Sequence, residues 1–343
     1  MNSQNTKSAK RPTIRDVAAL AGVSKSLVSL VYSTPDVVSA HRKERVLKAA
    51  AKLGFSPNFL ARSLAAESGT FVGILVADLH NPLFAEIVDY VRAALETKGQ
   101  YGFMTSAMLP DAGGLQILDR RTVSAIIDLR PKSVLVVGSI PTMHELAALP
   151  DNVPIVVASA ITEDLNRAAT VRSDDEKGMA LVINHLISNG HSKIAHITVT
   201  SGLVAQSRRL AYVEAMTKNG LKKFINIIEL SSDSERESFK KAKDLIESTN
   251  APTAITAFND LIAIGAQQAI GRKKISLVGY DNTFLADLKQ ISLTSVDPGN
   301  KEIAKRAVEL LTAEQIPGAK FGKTHLLEPR LIIRDSSKVK AKK

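Results

Sequence analysis

Residues Thr13 to Val31 read TIRDVAALAGVSKSLVSLV, and the spacing predicts two short helices joined by a tight turn. Ile14, Val17, Ala18 and Ala21 recur at helical intervals. Gly22 breaks the run, and Ser24 is placed to cap a second helix on which Val28 and Val31 face back toward the first. A helix-turn-helix needs small residues where the helices cross, glycine in the turn, and polar residues at the exposed start of the second helix. That start carries Ser24, Lys25, Ser26 and Ser29, which suits a phosphate-lined major groove. The same pattern also fits an ordinary helical hairpin. A third helix is predicted over Ser39 to Leu53, capped by Ser39, buried through Val46, Leu47 and Ala50, and ended by Gly54. Together the three make a small DNA-binding head.

Charge supports that reading. The chain has 343 residues and a net charge of +11. Through Glu67 there are eleven Lys and Arg against four Asp and Glu, hence +7, the electrostatic footprint expected of a nucleic-acid partner. Four further lysines lie between Lys338 and Lys343 and read as a solvated basic tail. The length allows two or three domains. With no cysteine, disulfides, thiol catalysis and Cys-based zinc sites are excluded. No apolar run approaches a membrane span, and the opening MNSQNTKSAKRPT is too polar for a signal peptide. A cytoplasmic, nucleoid-associated protein without membrane contact is expected.

After Gly54 comes FSPNFLARSLAAESGT. Pro57 can start a helix of about two turns over 58–66, too short to be stable alone in water. From Phe71 the texture changes. Apolar runs at 71–77, 133–138, 154–159, 193–199, 253–258 and 275–280 alternate with helical patterns at 82–98, 175–189, 205–219, 234–248 and 260–270. Such alternation predicts parallel sheets covered by helices on both faces. The body is too long for one small doubly wound unit, so two lobes are expected, with a ligand cleft at the carboxyl ends of the strands.

Several segments, TIRDVAALAGVS, SPNFLARSL, DLHNPLFAE, NHLISNGHSKIAHI, FNDLIAIGA and SLVGYDN, resemble the LacI/GalR family of transcriptional regulators from Pro12 to Arg334. The resemblance implies an all-α helix-turn-helix head followed by a two-lobed α/β body like a type I periplasmic binding protein. It divides the chain into an arm at 1–11, the head at 12–57, a hinge helix and linker at 58–69, the effector-binding and dimerisation body at 70–335, and the tail at 336–343. It implies that Thr13, Ser24, Lys25, Ser26, Ser29 and Leu30 meet DNA, with Lys25 donating to guanine and Leu30 either touching a thymine methyl or joining the core. Asn58 and Arg62 would meet DNA beside Leu64, which would wedge into the minor groove.

For the cleft, the resemblance implies Asn81, Phe84, Arg208, Asn259 and Asp281 as effector-binding residues. Arg208 gives the better register with Tyr212 and Met216, while its neighbour Arg209 remains the alternative. An Asp facing an Arg suits a sugar or polyol, and Phe84 can stack on a sugar face. Taken alone, Asp281 also fits a turn after a strand, and Asn259 a helix cap. The expected protein is a homodimeric repressor of a pseudo-palindromic double-stranded DNA operator, controlled by a small-molecule effector. A solute-binding protein and an architectural DNA-binding protein with a vestigial pocket are the alternatives. No catalytic motif of the Walker, G-x-G-x-x-G or G-x-S-x-G kind is present. No two of the seven histidines stand at the i, i+4 spacing of a zinc helix. The expectation is therefore no enzyme, no metal and no cofactor.

Overall fold

The computed structural model describes residues 11–56, 69–110, 116–313 and 322–340. The chain divides into two compact units between Thr70 and Phe71. In the first, helices run over Ile14–Ala21, Lys25–Ser33 and Ala40–Leu53. The Asp16 carboxylate reaches back to accept from the Thr13 backbone N–H and hydroxyl, both at 2.7 Å, fixing the start of the first helix. Gly22 closes it in the left-handed region at φ 61°. There Arg45 of the third helix donates to the Ala21 carbonyl at 2.6 Å, satisfying a helix end and tying the turn to the third helix. Ser24 caps the second helix, its Oγ accepting from Leu27 N at 3.2 Å.

Val17, Ala18, Ala21, Val28, Val31, Val46, Ala49 and Ala50 form the head's core. One expectation needs correction. Leu47 is 43% exposed; Ala49 fills the core beside Val46 and Ala50, because the inward stripe of this helix runs one step away from Leu47.

Among its described residues the second unit contains fourteen strands in chain order. β1 (Phe71–Val76), β2 (Tyr101–Ser106), β3 (Met108–Pro110), β4 (Gln116–Leu118), β5 (Ser133–Val137), β6 (Ile155–Ala158) and β7 (Ala169–Ser173) come first. β8 (Ile194–Val199), β9 (Asn226–Leu230), β10 (Ala254–Ala257), β11 (Ser276–Tyr280), β12 (Thr294–Asp297), β13 (Thr324–Leu327) and β14 (Arg330–Ile332) follow. One sheet has the order β13-β7-β6-β5-β1-β2 and is wholly parallel; the other runs β14-β12-β11-β10-β8-β9, with only β14 antiparallel. β1, β5, β6, β10 and β11 are buried along their whole length, as strands covered on both faces must be.

The two lobes are not simply consecutive. The chain passes between them after β7, before the Asn300–Thr312 helix and between β13 and β14. That helix follows β12 of the second sheet yet packs Ile303, Ala304, Ala307, Val308 and Leu311 onto the core of the first. The stretch after β14 folds along the second lobe. Arg334 donates to the Leu293 carbonyl and to Asn282 Oδ1, Ser336 to the Leu277 carbonyl, and the Val339 carbonyl meets His191 Nε2 at 2.9 Å and Ser276 Oγ at 2.8 Å.

Within the second lobe the Glu235–Glu247 and Asp260–Ile270 helices touch at Gly265, where a Cβ would run into the Glu235 backbone carbonyl. Backbone cannot give way as a side chain can. Gly265→Ala is therefore expected to destabilise the protein by about 1–3 kcal/mol, lowering the urea midpoint; an unchanged midpoint would show that these helices separate freely.

Candidate functional site

Two surfaces gather the residues singled out in the sequence. On the head, Thr13, Ser24, Lys25, Ser26, Ser29 and Leu30 are all exposed. Of these, Thr13 and Ser24 are already engaged as helix caps through their Asp16 and Leu27 partners. Leu30 is 37% exposed, so it presents apolar surface outward and does not belong to the core. Asn58, Arg62 and Leu64 lie outside the described residues, together with the helix expected at 58–66.

The second surface is the cleft between the lobes of the body. Arg208, on the Leu203–Lys218 helix, is 6% exposed. Its Nε donates to Asp175 Oδ1 at 3.1 Å, and both Nη atoms lie 3.3 Å from Asp281 Oδ1. Nη1 also donates to the Phe258 carbonyl. The guanidinium lies 3.5 Å from the centre of the Tyr280 ring, and Phe258 flanks it at 5.0 Å. Planar stacking with several donors engaged is a task for arginine that lysine would not fill. Arg209 turns the other way, pairing with half-exposed Glu229 at 2.6 Å. The fold thus decides which of the two adjacent arginines faces the cleft.

Tyr280 reaches this position because Gly178 leaves room, since any Cβ there would strike the phenol. Asp281 and Asn282 follow it with φ of 103° and 45°, strained values for side-chain-bearing residues. The turn is held from several sides. Asp281 N donates to the Val296 carbonyl and Asn282 N to Ser295 Oγ. Buried Asp260 accepts from Thr283 N, Thr283 Oγ1 and Ser295 Oγ.

Burial pushes the Asp281 carboxyl up to about 8, Asp260 and Asp175 adding to the rise and Arg208 opposing it. Burial likewise lifts Asp260 to about 6 against its three hydrogen bonds. Burial works against the Arg208 cation, but Asp281 and Asp175 outweigh it and hold the guanidinium protonated. Out of water the charged form of a carboxylate is disfavoured, and proton uptake by Asp281 relieves that cost.

Asn81 and Asn259 are buried, and each caps a helix: Asn81 Oδ1 accepts from Leu83 N at 3.0 Å and Asn259 Oδ1 from Ile262 N at 2.9 Å. The amide nitrogen of Asn81 is left for another partner, whereas that of Asn259 donates to the Asp233 carboxyl. Phe84 is half-buried and packs against the cores on both faces of the first sheet, its ring lying where a Cβ on Gly138 would sit.

A narrow space of about 20 Å³, room for about one water, opens beside Arg208, its polar wall formed by Ser159, Arg172, Ser173, Asp175 and Arg208. Leu83, Val204 and Pro298 complete it, so both lobes contribute. Asp175 went unnoticed in the sequence because its partner Arg208 is distant along the chain, and Arg172 because its place follows from Asp175. The signal available was the doubled carboxylate Asp174-Asp175 at a predicted helix start, only one of which is needed as a cap. Asp174 Oδ1 accepts from Lys177 N, which leaves Asp175 for the arginines. Glu86 was also missed. It bridges the lobes, its two oxygens accepting from Phe284 N at 2.8 Å and Asn300 Nδ2 at 3.2 Å.

Residues 13–58 match the family profile described as bacterial regulatory proteins, lacI family, and residues 183–337 match the periplasmic binding protein-like domain. The HTH-type transcriptional repressor PurR of Vibrio vulnificus is 30% identical over 336 residues, covering 95% of this chain and 98% of that protein. The chain belongs to the lacI family of bacterial regulatory proteins. The ribose operon repressor of Haemophilus influenzae is a further family member, 30% identical over 94% of this chain and 98% of its own length.

Among solved structures, a LacI transcriptional regulator from a Rhodococcus species is 26% identical, with TM-score 0.69, covering 79% of this chain and 100% of that one. A lac repressor dimer bound to operator and an anti-inducer shares the fold at TM-score 0.79 and 24% identity, covering 96% of this chain and 99% of that one. This lacI-family chain is accordingly a transcriptional regulator with a DNA-binding helix-turn-helix head and a periplasmic binding protein-like body. No helix among the described residues is long and apolar enough to cross a membrane.

The raised Asp281 carboxyl has a definite stability signature. Its folded value stands above the ordinary one of 3.8, so the fold holds a proton that the unfolded chain has released. Its contribution is complete below about pH 4 and is lost as pH rises through about 8. Urea melts from pH 4 to 8 should show wild type losing stability relative to Asp281→Asn over this window. A difference independent of pH would mean that Asp281 keeps an ordinary titration.

Proposed function

We propose that the protein is a ligand-responsive repressor that binds a pseudo-palindromic operator as a homodimer and carries a sugar-like effector in the cleft of its body. The observation that carries this reading is the buried Arg208, held between Asp175 and Asp281 beside a narrow space lined from both lobes, in a chain whose other unit is a helix-turn-helix. One small head reads only half a site, so a two-fold dimer on a two-fold operator is the economical arrangement. The relatives named repressors support the sign of regulation, and the absence of a long apolar helix among the described residues fits a cytoplasmic, nucleoid-associated regulator.

At the head, Lys25, Ser26, Ser29 and Leu30 face base edges, while Thr13 and Ser24 present helix-start groups to phosphates. Asn58, Arg62 and Leu64 form the hinge contact, with Leu64 wedged in the minor groove. In the body, Arg208 and Asp281 engage hydroxyls or ring oxygens, Asn81 and Asn259 offer their amide nitrogens, and Phe84 backs the ligand. The boundaries follow: a head at 12–57, a hinge at 58–69 and an effector body at 70–335. Ligand that favours one lobe arrangement over another biases the hinge segments, and differential affinity for the two states is all the switch requires.

Selection of duplexes from random DNA should yield a two-fold symmetric site bound with a steep salt dependence. Lys25→Ala should relax the preference at one base pair per half-site, worth about 1–3 kcal/mol; an unchanged preference removes Lys25 from base reading. Small molecules extracted from the source cells should shift operator affinity, and Asp281→Ala should abolish that shift while sparing operator binding. A shift that persists in the variant would place the effector elsewhere.

A further inference from the structure

We propose that Glu86 couples the cleft to the operator. Its carboxylate ties the turn that carries Asp281 to the first lobe, and through this tie an effector at Asp281 resets the placement of the lobes. Glu86 is thus a positioning residue, and its role rests on the effector reading above.

Glu86 lies in the second turn of the Pro82–Glu96 helix. The start of that helix already borders the cleft, since Leu83 lines the space beside Arg208. One Glu86 oxygen accepts from Phe284 N at 2.8 Å and the other from Asn300 Nδ2 at 3.2 Å. A backbone donor at a helix start has no partner within its own helix. Thr283, which precedes the Phe284–Asp287 helix, supplies no side-chain cap; its hydroxyl is turned to Asp260. The acceptor for the Phe284 amide therefore comes from the opposite lobe.

Asn300 completes the junction. It is 6% exposed, and its Nδ2 is shared between Glu86 and the Asp281 carbonyl, the latter at 3.4 Å. Two acceptors around this nitrogen fix the orientation of the amide. They leave Asn300 Oδ1 buried without a partner among the described residues. A buried acceptor left open costs free energy, and the neighbouring turn is itself strained, with φ of 103° at Asp281 and 45° at Asn282. Strain and an unmet acceptor at one junction favour its exchange for another arrangement.

The same turn faces the cleft. The Asp281 side chain meets Arg208 while its backbone carbonyl meets Asn300. A ligand that draws Asp281 from Arg208 moves that carbonyl against Asn300, and with it the Glu86 tie. Partly exposed hydrogen bonds to neutral donors have a small net worth, so a modest difference in ligand affinity between two lobe arrangements is enough to exchange them.

Operator affinity, melting temperature and urea midpoint of the full chain test this, with the small-molecule extract of the source cells as the probe. In Glu86→Ala the extract should raise the melting temperature as it does in wild type, and the urea midpoint should stay in place. The extract-induced shift in operator affinity should fall about fivefold or more. Glu86→Asp keeps the charge but ends one methylene short of the Phe284 amide, and should lose the shift likewise. A full shift in either variant overturns the inference. So does a lost shift accompanied by a lost melting response or a lowered urea midpoint, which would make Glu86 part of the ligand wall or of the fold. In these cases the wild-type shift leaves the effector pocket standing, whereas an extract that shifts nothing in wild type removes the pocket reading and this inference together.

Discussion

The body is organised around a cation it has buried. Moving a guanidinium out of water is expensive, and a single carboxylate rarely compensates. Here Arg208 is met by Asp175, Asp281, the Phe258 carbonyl and the Tyr280 ring. The partners come from three stretches of chain: the start of the helix after β7, the end of β10, and the end of β11 with the turn that follows it. The arginine therefore reports whether these stretches are correctly assembled. It also fixes the polarity of the cleft. Removing one partner would strand charge in a dry place, which is why the constellation holds as a unit.

Around this centre the lobes are joined by covalent and polar links of different stiffness. Three chain crossings connect them, and the Asn300–Thr312 helix belongs by sequence to one lobe and by packing to the other. Glu86 adds a polar latch, its carboxylate on the first lobe gripping the Phe284 amide next to the Asp281 turn, while Asn300 donates to both Glu86 and the Asp281 carbonyl. A ligand that displaces Asp281 thereby pulls on the latch. Half-exposed polar links of this kind have a small net worth, so they can exchange partners without threatening the fold. The deeply packed strands provide the rigidity against which such an exchange acts.

The parts legible in the sequence are those whose physics is local. Helix periodicity, the Gly22 turn and the Ser24 cap announced the head, and the long apolar runs announced β1, β5, β6, β8, β10 and β11. Leu47 was misplaced because period alone does not say which side of a short helix its neighbours occupy. β2 and β9 lie at sheet edges and alternate weakly, while β12, β13 and β14 are three or four residues long, too short for a pattern. At the cleft, Arg208 and Asp281 stood out through motifs, but Asp175 and Glu86 acquire meaning only from partners far away in the chain. The Asn81 and Asn259 caps show the opposite case. Their local duty is plain, and only the assembled fold reveals what their amide nitrogens meet, as Asn259 meets Asp233.

The segment from Arg334 to Val339 gives the second lobe an unusual dependence on the stretch that follows β14. Arg334 braces Asn282 in its left-handed turn, and the Val339 carbonyl is shared by His191 and Ser276. Trimming the chain before Arg334 would uncover the floor of that sheet and slacken the strained loop that carries Asp281. The geometry of the Asp281 turn is thus set in part from the opposite end of the lobe.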